Sequence, residues 1–214
     1  TGANNVAVGY ESLACNTTGE RNTAVGQQSL CGNTTGVNNS AVGQQSLMSN
    51  TTGCNNVAFG RLALNFNTEG DENVSVGSCS LRRSTTGSQN TALGSCSLMC
   101  NTTANNNTAV GFQALKVNTT GNTITSIGFE SLINSTTAHA NTAVGGKTLH
   151  LTTTGGYNTA MGNEALCSNT TGETNVAIGF RSLKSNTTAS NNTAVGYQSL
   201  LTNTVGFNNV GLGN

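Results

Sequence analysis

The residues that could do chemistry are few and scattered. Glu69, Asp71 and Glu72 form the one acidic cluster, and Asp71 is the only aspartate. Three carboxylates this close in sequence are a donor set that Ca²⁺ takes. No His, Cys or Lys lies beside them to complete a catalytic set, so a solvated turn is the simpler expectation. His139 and His150 occupy different places in the repeat described below. The seven cysteines contain no Cys-x-x-Cys pair, which argues against a structural zinc site. The glycines do not form a phosphate loop, since no Gly-x-x-x-x-Gly-Lys-Ser/Thr is present. Neither an enzyme, a cofactor nor a metal is expected.

Asn-x-Ser/Thr recurs along the chain, and Asn16, Asn33, Asn50, Asn101, Asn118, Asn169 and Asn186 fall at one place in the repeat. If that edge is exposed and the chain is secreted, these are candidate glycan acceptors. A chain rich in Asn and Thr also generates such triplets by composition alone. The rows of Thr and Asn have a further use, as a regular face for ice or glycan. Inward ladders that satisfy turn amides compete with that use.

Composition narrows the class. Only 7% of the 214 residues are charged, Lys plus Arg equal Asp plus Glu at eight each, and Pro and Trp are absent. There is no net field to attract nucleic acid or an anionic membrane. No apolar run approaches the roughly 20 residues that span a bilayer.

What decides the fold is order within that composition. A glycine recurs at Gly9, Gly26, Gly43, Gly60, Gly77, Gly94, Gly111, Gly128, Gly145, Gly162, Gly179, Gly196 and Gly213, always 17 residues on. A leucine keeps the same step: Leu13, Leu30, Leu47, Leu64, Leu81, Leu98, Leu115, Leu132, Leu149, Leu166, Leu183 and Leu200. So does a threonine, from Thr17 through Thr34 to Thr204. The repeat reads Asn-Thr-Ala-Val-Gly-x-x-Ser-Leu-x-x-Asn-Thr-Thr-Gly-x-Asn; its slots are numbered one to seventeen, with Asn22 to Asn38 as one complete copy. A residue needed in every copy is structural, because a catalytic residue is needed once.

Slots one to four have the bias of a short strand, with slots two and four on one face. The glycine of slot five permits a bend or a positive φ. The x-x-Ser-Leu run that follows suits either a second short strand or one helical turn. Asn-Thr-Thr-Gly then has turn chemistry. One copy cannot bury its own Val and Leu, but stacked copies bury them against their equivalents above and below. The predicted fold is all-β: a β-solenoid, as a parallel β-roll or β-helix, of about 12.6 coils of 17 residues. Residues 1–214 form a single repeat array, which starts and stops inside a copy and is expected to be a window of a longer fibre.

Variable slots fit a parallel, in-register stack. Glu130, Lys147, Glu164 and Arg181 alternate in sign at slot seven, and Phe112 neighbours Phe129, as Phe180 does Tyr197, at slot six. Cys79 and Cys96 share slot seven in adjacent coils, within the roughly 4.4–6.8 Å Cα separation of a disulfide, and are the candidate pair. Slot three holds only Ala, Ser or Gly, so something approaches it closely: the other wall of the coil, or another chain. Self-association as a homotrimer or filament is therefore expected.

The runs Asn22 to Leu30, Asn39 to Leu47 and Asn192 to Leu200 resemble the head repeat of YadA-like trimeric autotransporter adhesins, and similar repeats of phage and large-virus fibre proteins. The resemblance implies left-handed parallel β-rolls, packed as trimers, that adhere to host or matrix surfaces. This chain departs from that pattern in its longer coil with the Asn-Thr-Thr-Gly insert. The functional expectation is a structural or adhesive segment of an extracellular, cell-surface or virion-surface fibre. Its partners would be its own copies and host-surface or matrix glycans or proteins. The alternative is an ice- or glycan-binding solenoid.

Overall fold

The computed structural model describes residues 2–213, in two compact units divided between Asn107 and Thr108. Unit one carries six three-residue strands: β1 (Val6–Val8), β2 (Thr23–Val25), β3 (Ser40–Val42), β4 (Val57–Phe59), β5 (Val74–Val76) and β6 (Thr91–Leu93). Unit two carries seven: β7 (Thr108–Val110), β8 (Thr125–Ile127), β9 (Thr142–Val144), β10 (Thr159–Met161), β11 (Val176–Ile178), β12 (Thr193–Val195) and β13 (Val210–Leu212). Within each unit every strand pairs in parallel with the next, and the register is always a 17-residue step, as in Thr23↔Ser40 and Thr159↔Val176. The fold is thus the expected β-solenoid. The described residues contain no helix, so none is long and apolar enough to cross a membrane.

Backbone hydrogen bonds join coil to coil well beyond the strands. Leu30 N–H donates to the Ser46 carbonyl at 3.0 Å, and Thr34 N–H donates to the Thr51 carbonyl at 3.0 Å. The x-x-Ser-Leu run is neither the second strand nor the helical turn that the sequence suggested. It is a chain of turns in which slots seven and nine sit in the left-handed region, with Gln28 at φ 55° and Leu30 at φ 51°. The slot-nine leucines all lie between 47° and 54°. That conformation costs roughly 1–2 kcal/mol for an L-residue. Full burial of each leucine from Leu30 to Leu183 opposes that cost with about 1.5–3 kcal/mol.

The slot-five glycine takes the positive φ expected of it, 129–139° from Gly9 to Gly196. A Cβ on Gly111 would lie 2.5 Å from the Gly128 carbonyl oxygen of the next coil, so crowding adds to the backbone demand. The slot-fifteen glycine is different. Gly36 shows no positive φ, and Ala104, Ala138 and Ala189 replace its equivalents while remaining buried.

The interior differs from the expected one. Slot three points inward: Ala24, Ala41, Ala58, Ala109 and Ala143 are wholly buried. Slot four, expected to be core, points outward: Val42 is 39% exposed, Phe59 43% and Leu93 44%. In so thin a coil, the leucine of the opposite wall leaves room for a methyl group but not for a valine. That explains why slot three never exceeds Ala or Ser. The core is accordingly Ala, Leu, Ser and Asn.

Candidate functional site

Polar ladders occupy the interior. The slot-one asparagine spans two coils: Asn22 Nδ2 donates to the Gly36 carbonyl at 2.8 Å, and Asn22 Oδ1 accepts the Asn39 N–H at 2.9 Å. At slot twelve, Asn50 Nδ2 donates both to Asn33 Oδ1 at 2.9 Å and to the Gly53 carbonyl at 2.9 Å. At slot eight, Ser46 Oγ donates to the Ala58 carbonyl of the next coil at 2.8 Å. The slot-thirteen hydroxyls donate likewise, Thr34 Oγ1 to the Thr51 carbonyl at 2.9 Å. Each side chain replaces an amide–water contact with one inside the stack, so few buried polar groups are left to penalise the fold. The exception is Ile124, which is buried at slot one and has no oxygen to offer the next coil.

This arrangement overturns the glycan assignment at slot twelve. Asn33, Asn50, Asn101, Asn118, Asn169 and Asn186 are fully buried, and Asn16 is half-buried in the first coil. Their amide nitrogens are committed inward, as where Asn186 Nδ2 donates to the Ala189 carbonyl at 2.9 Å. A folded coil presents no acceptor there. The sequons whose asparagine is exposed are at slot seventeen: Asn38, Asn106 and Asn191.

The acidic residues do not converge. Asp71 Oδ1 accepts the Cys54 N–H at 2.7 Å, and Glu72 Oε2 accepts from Gln89 Nε2 at 3.1 Å. No three His, Cys, Asp or Glu of the described residues cluster as a metal site would require. His139 Nδ1 accepts the Asn122 N–H at 3.0 Å, and His150 Nδ1 lies 3.2 Å from the Glu130 carbonyl. Cys79 and Cys96 occupy one slot in consecutive coils, half-exposed, as free thiols. Cys15 and Cys31 are also neighbours, at slots eleven and ten. Cys15 N–H donates to the Cys31 carbonyl at 3.0 Å, and burial first, then Cys15, pushes the Cys31 thiol pKa up.

The surface ladders read from the sequence are present in unit two. Lys147 Nζ lies 3.9 Å from Glu130, and Arg181 Nε 2.7 Å from Glu164. Lys184 adds a second cation to Glu164 at 2.7 Å. Phe112 stacks on Phe129 with centroids 5.8 Å apart, and Phe180 on Tyr197 at 5.5 Å. Arg181 also lies over the Phe180 ring, 4.8 Å from its centroid.

The feature that the sequence did not reveal is the outer strand face. Slots two and four both point outward, and neither holds a charged residue in any strand from β1 to β13. In unit one, Val42, Phe59 and Leu93 are exposed; in unit two, Ile127, Met161, Ile178 and Val195 are 36–41% exposed. Scattered exposed apolar residues need no explanation; here they recur at one slot of the repeat in each unit, with no charged residue among them. The pattern was available in principle, since an outward slot free of any charge is as unusual as an inward slot free of any large residue. Comparison with family models, with curated proteins and with solved structures returns no match for this chain.

Proposed function

We propose that this chain is a non-enzymatic structural or adhesive segment of an extracellular, cell-surface or virion-surface fibre, working through self-association. The observation that supports it most is the uncharged apolar line carried by the outer strand face of each unit. An isolated soluble coil would place Lys, Glu or Thr at slot four in at least some of its copies. The interior supports the same reading, because its asparagine, serine and threonine ladders all tie one coil to the next. Resemblance to adhesin and viral-fibre repeats adds host-surface or matrix glycans and proteins as the outer partners.

Native mass measurement with electron microscopy tests the proposal. Assemblies of two or more chains at micromolar concentration, seen as thin rods or bundles, are expected. Single chains that stay separate at that concentration would overturn it.

A further inference from the structure

The slot-four row is graded as well as apolar. From Val42 to Met161 the residues run Val42, Phe59, Val76, Leu93, Val110, Ile127, Val144 and Met161, so a valine and a larger side chain alternate without a break. From Phe59 to Met161 exposure follows the same alternation, Phe59, Leu93, Ile127 and Met161 being exposed and Val76, Val110 and Val144 half-buried; Val42, at the start of the row, is exposed. In unit one the parallel register sets Val76 between Phe59 and Leu93. In unit two it sets Val144 between Ile127 and Met161. Each unit thus presents a projection, a recess and a projection. Projections stand two coils apart, about 9.6 Å at strand spacing.

We infer that this face is covered by a second copy of the same chain, displaced so that the large slot-four side chains of one copy seat on the valines of the other. The inference rests on the self-association proposed above and says how it is built. A covering surface must be uncharged and must repeat its relief every second coil; another copy of this chain has both properties. Matched without displacement, Phe59 would meet Phe59 and Val76 would meet Val76. The large pairs would then hold the faces apart and leave gaps over the valines, and a gap of about 0.5–1 Å already forfeits a quarter to a half of the dispersion attraction. Displacement by an odd number of coils places large against small, the arrangement that close-packed interiors use.

A three-residue strand is about 10 Å long and each coil adds about 4.8 Å, or roughly 50 Å² per coil. Unit one, with six coils, offers about 300 Å², and unit two, with seven, about 350 Å². Slot two is compatible with this contact, holding only Val, Thr or Ser in all thirteen strands.

The experiment is photo-crosslinking of the full chain with Leu93→p-benzoylphenylalanine, mixed with ¹⁵N-labelled unsubstituted chain. The isotope separates links between chains from links within one. Native mass measured on the same mixture shows whether chains associate at all. Inter-chain links are expected on the coils of Val76, Val110 or Val144. Links on the coils of Phe59, Leu93, Ile127 or Met161, or away from the outer strand face, would overturn the displaced packing and leave self-association standing. A purely monomeric mixture would overturn both. A second variant, Val76→Phe with Val144→Phe, fills a recess in each unit; a dissociation constant raised at least tenfold, with unchanged melting of the coils, is expected. Equal or tighter association would count against seating on the valines.

Discussion

Asn158 and Asn175, 17 residues apart, are joined twice: the Asn158 side-chain oxygen accepts both the Asn175 N–H at 2.9 Å and the Asn175 Nδ2 at 3.1 Å. One oxygen therefore satisfies a backbone and a side-chain donor of the next coil. Asn158 Nδ2 meanwhile closes its own coil on the Gly172 carbonyl at 2.9 Å. The slot-one asparagine thus does locally and between coils what a strand does only between coils.

Asn158→Ala leaves the buried Asn175 N–H without its acceptor, while Asn175 Nδ2 keeps the Ala189 carbonyl and the Gly172 carbonyl keeps Asn169 Nδ2. An unsatisfied buried polar group costs about 1–3 kcal/mol, so a loss of about 2 kcal/mol is expected in urea unfolding. Asn158→Asp keeps the acceptor oxygen but places a charge in the interior, and is expected to be at least as damaging.

Ile124 offers the converse test. It leaves the Asn141 N–H without the side-chain oxygen that Asn158, for example, gains from Asn141 at 2.8 Å. Ile124→Asn sacrifices apolar burial but restores a side-chain acceptor for the Asn141 N–H. A net gain of about 1 kcal/mol is expected, measured as a higher urea midpoint with an unchanged slope. A lower midpoint would show that apolar contact outweighs the ladder at this position.

Gly111→Val combines a positive φ of 130° with a Cβ 2.5 Å from the Gly128 carbonyl oxygen. A β-branched residue cannot take that conformation cheaply. A loss of about 4 kcal/mol or more is expected. Gly121→Ala would crowd the Ala138 carbonyl oxygen at least as closely, but it demands no positive φ, and alanine occurs at the equivalent Ala104, Ala138 and Ala189, so a smaller loss is expected because the backbone cost is absent. Thermal melting of the two variants side by side tests the ranking.

Glu164 carries the pH dependence of the outer surface. Lys184 first, then Arg181, hold its carboxyl below the ordinary glutamate value. Because the folded value lies below the unfolded one, the contribution is complete above the ordinary glutamate range and is lost as pH falls through the lowered folded value. All three side chains remain 23–38% exposed, so the contribution is expected to be under about 1 kcal/mol. Glu164→Gln should remove it at neutral pH, and roughly 1 M salt should shrink the difference from the parent chain.

Period and coil were legible because the same glycine, leucine and threonine return without insertion. The surface ladders were legible for the same reason: once the step is fixed, Glu130 must meet Lys147 and Phe112 must meet Phe129. Sidedness was harder. Alternation separates slot three from slots two and four but does not say which faces the core. Valine looks like core and alanine does not, yet Ala24 is buried and Val42 exposed. The limit is steric, since a thin coil faced by Leu30 has no space for a branched side chain. The slot-twelve asparagines misled in the same way. Asn is usually a surface residue, but here Asn50 Nδ2 donates to the Gly53 carbonyl of its own turn and to the Asn33 side-chain oxygen of the preceding coil. The left-handed leucines had no local signal at all, because Leu rarely takes that conformation and only the finished stack holds it there.

Short-range nuclear Overhauser contacts test most directly whether each repeat closes one coil. Strong contacts between residues 17 apart, such as Thr159 with Val176 and Thr142 with Thr159 in unit two, are expected throughout. Contacts confined to residues three or four apart, or contacts that follow some other step, would contradict the stacked coil and everything built on it.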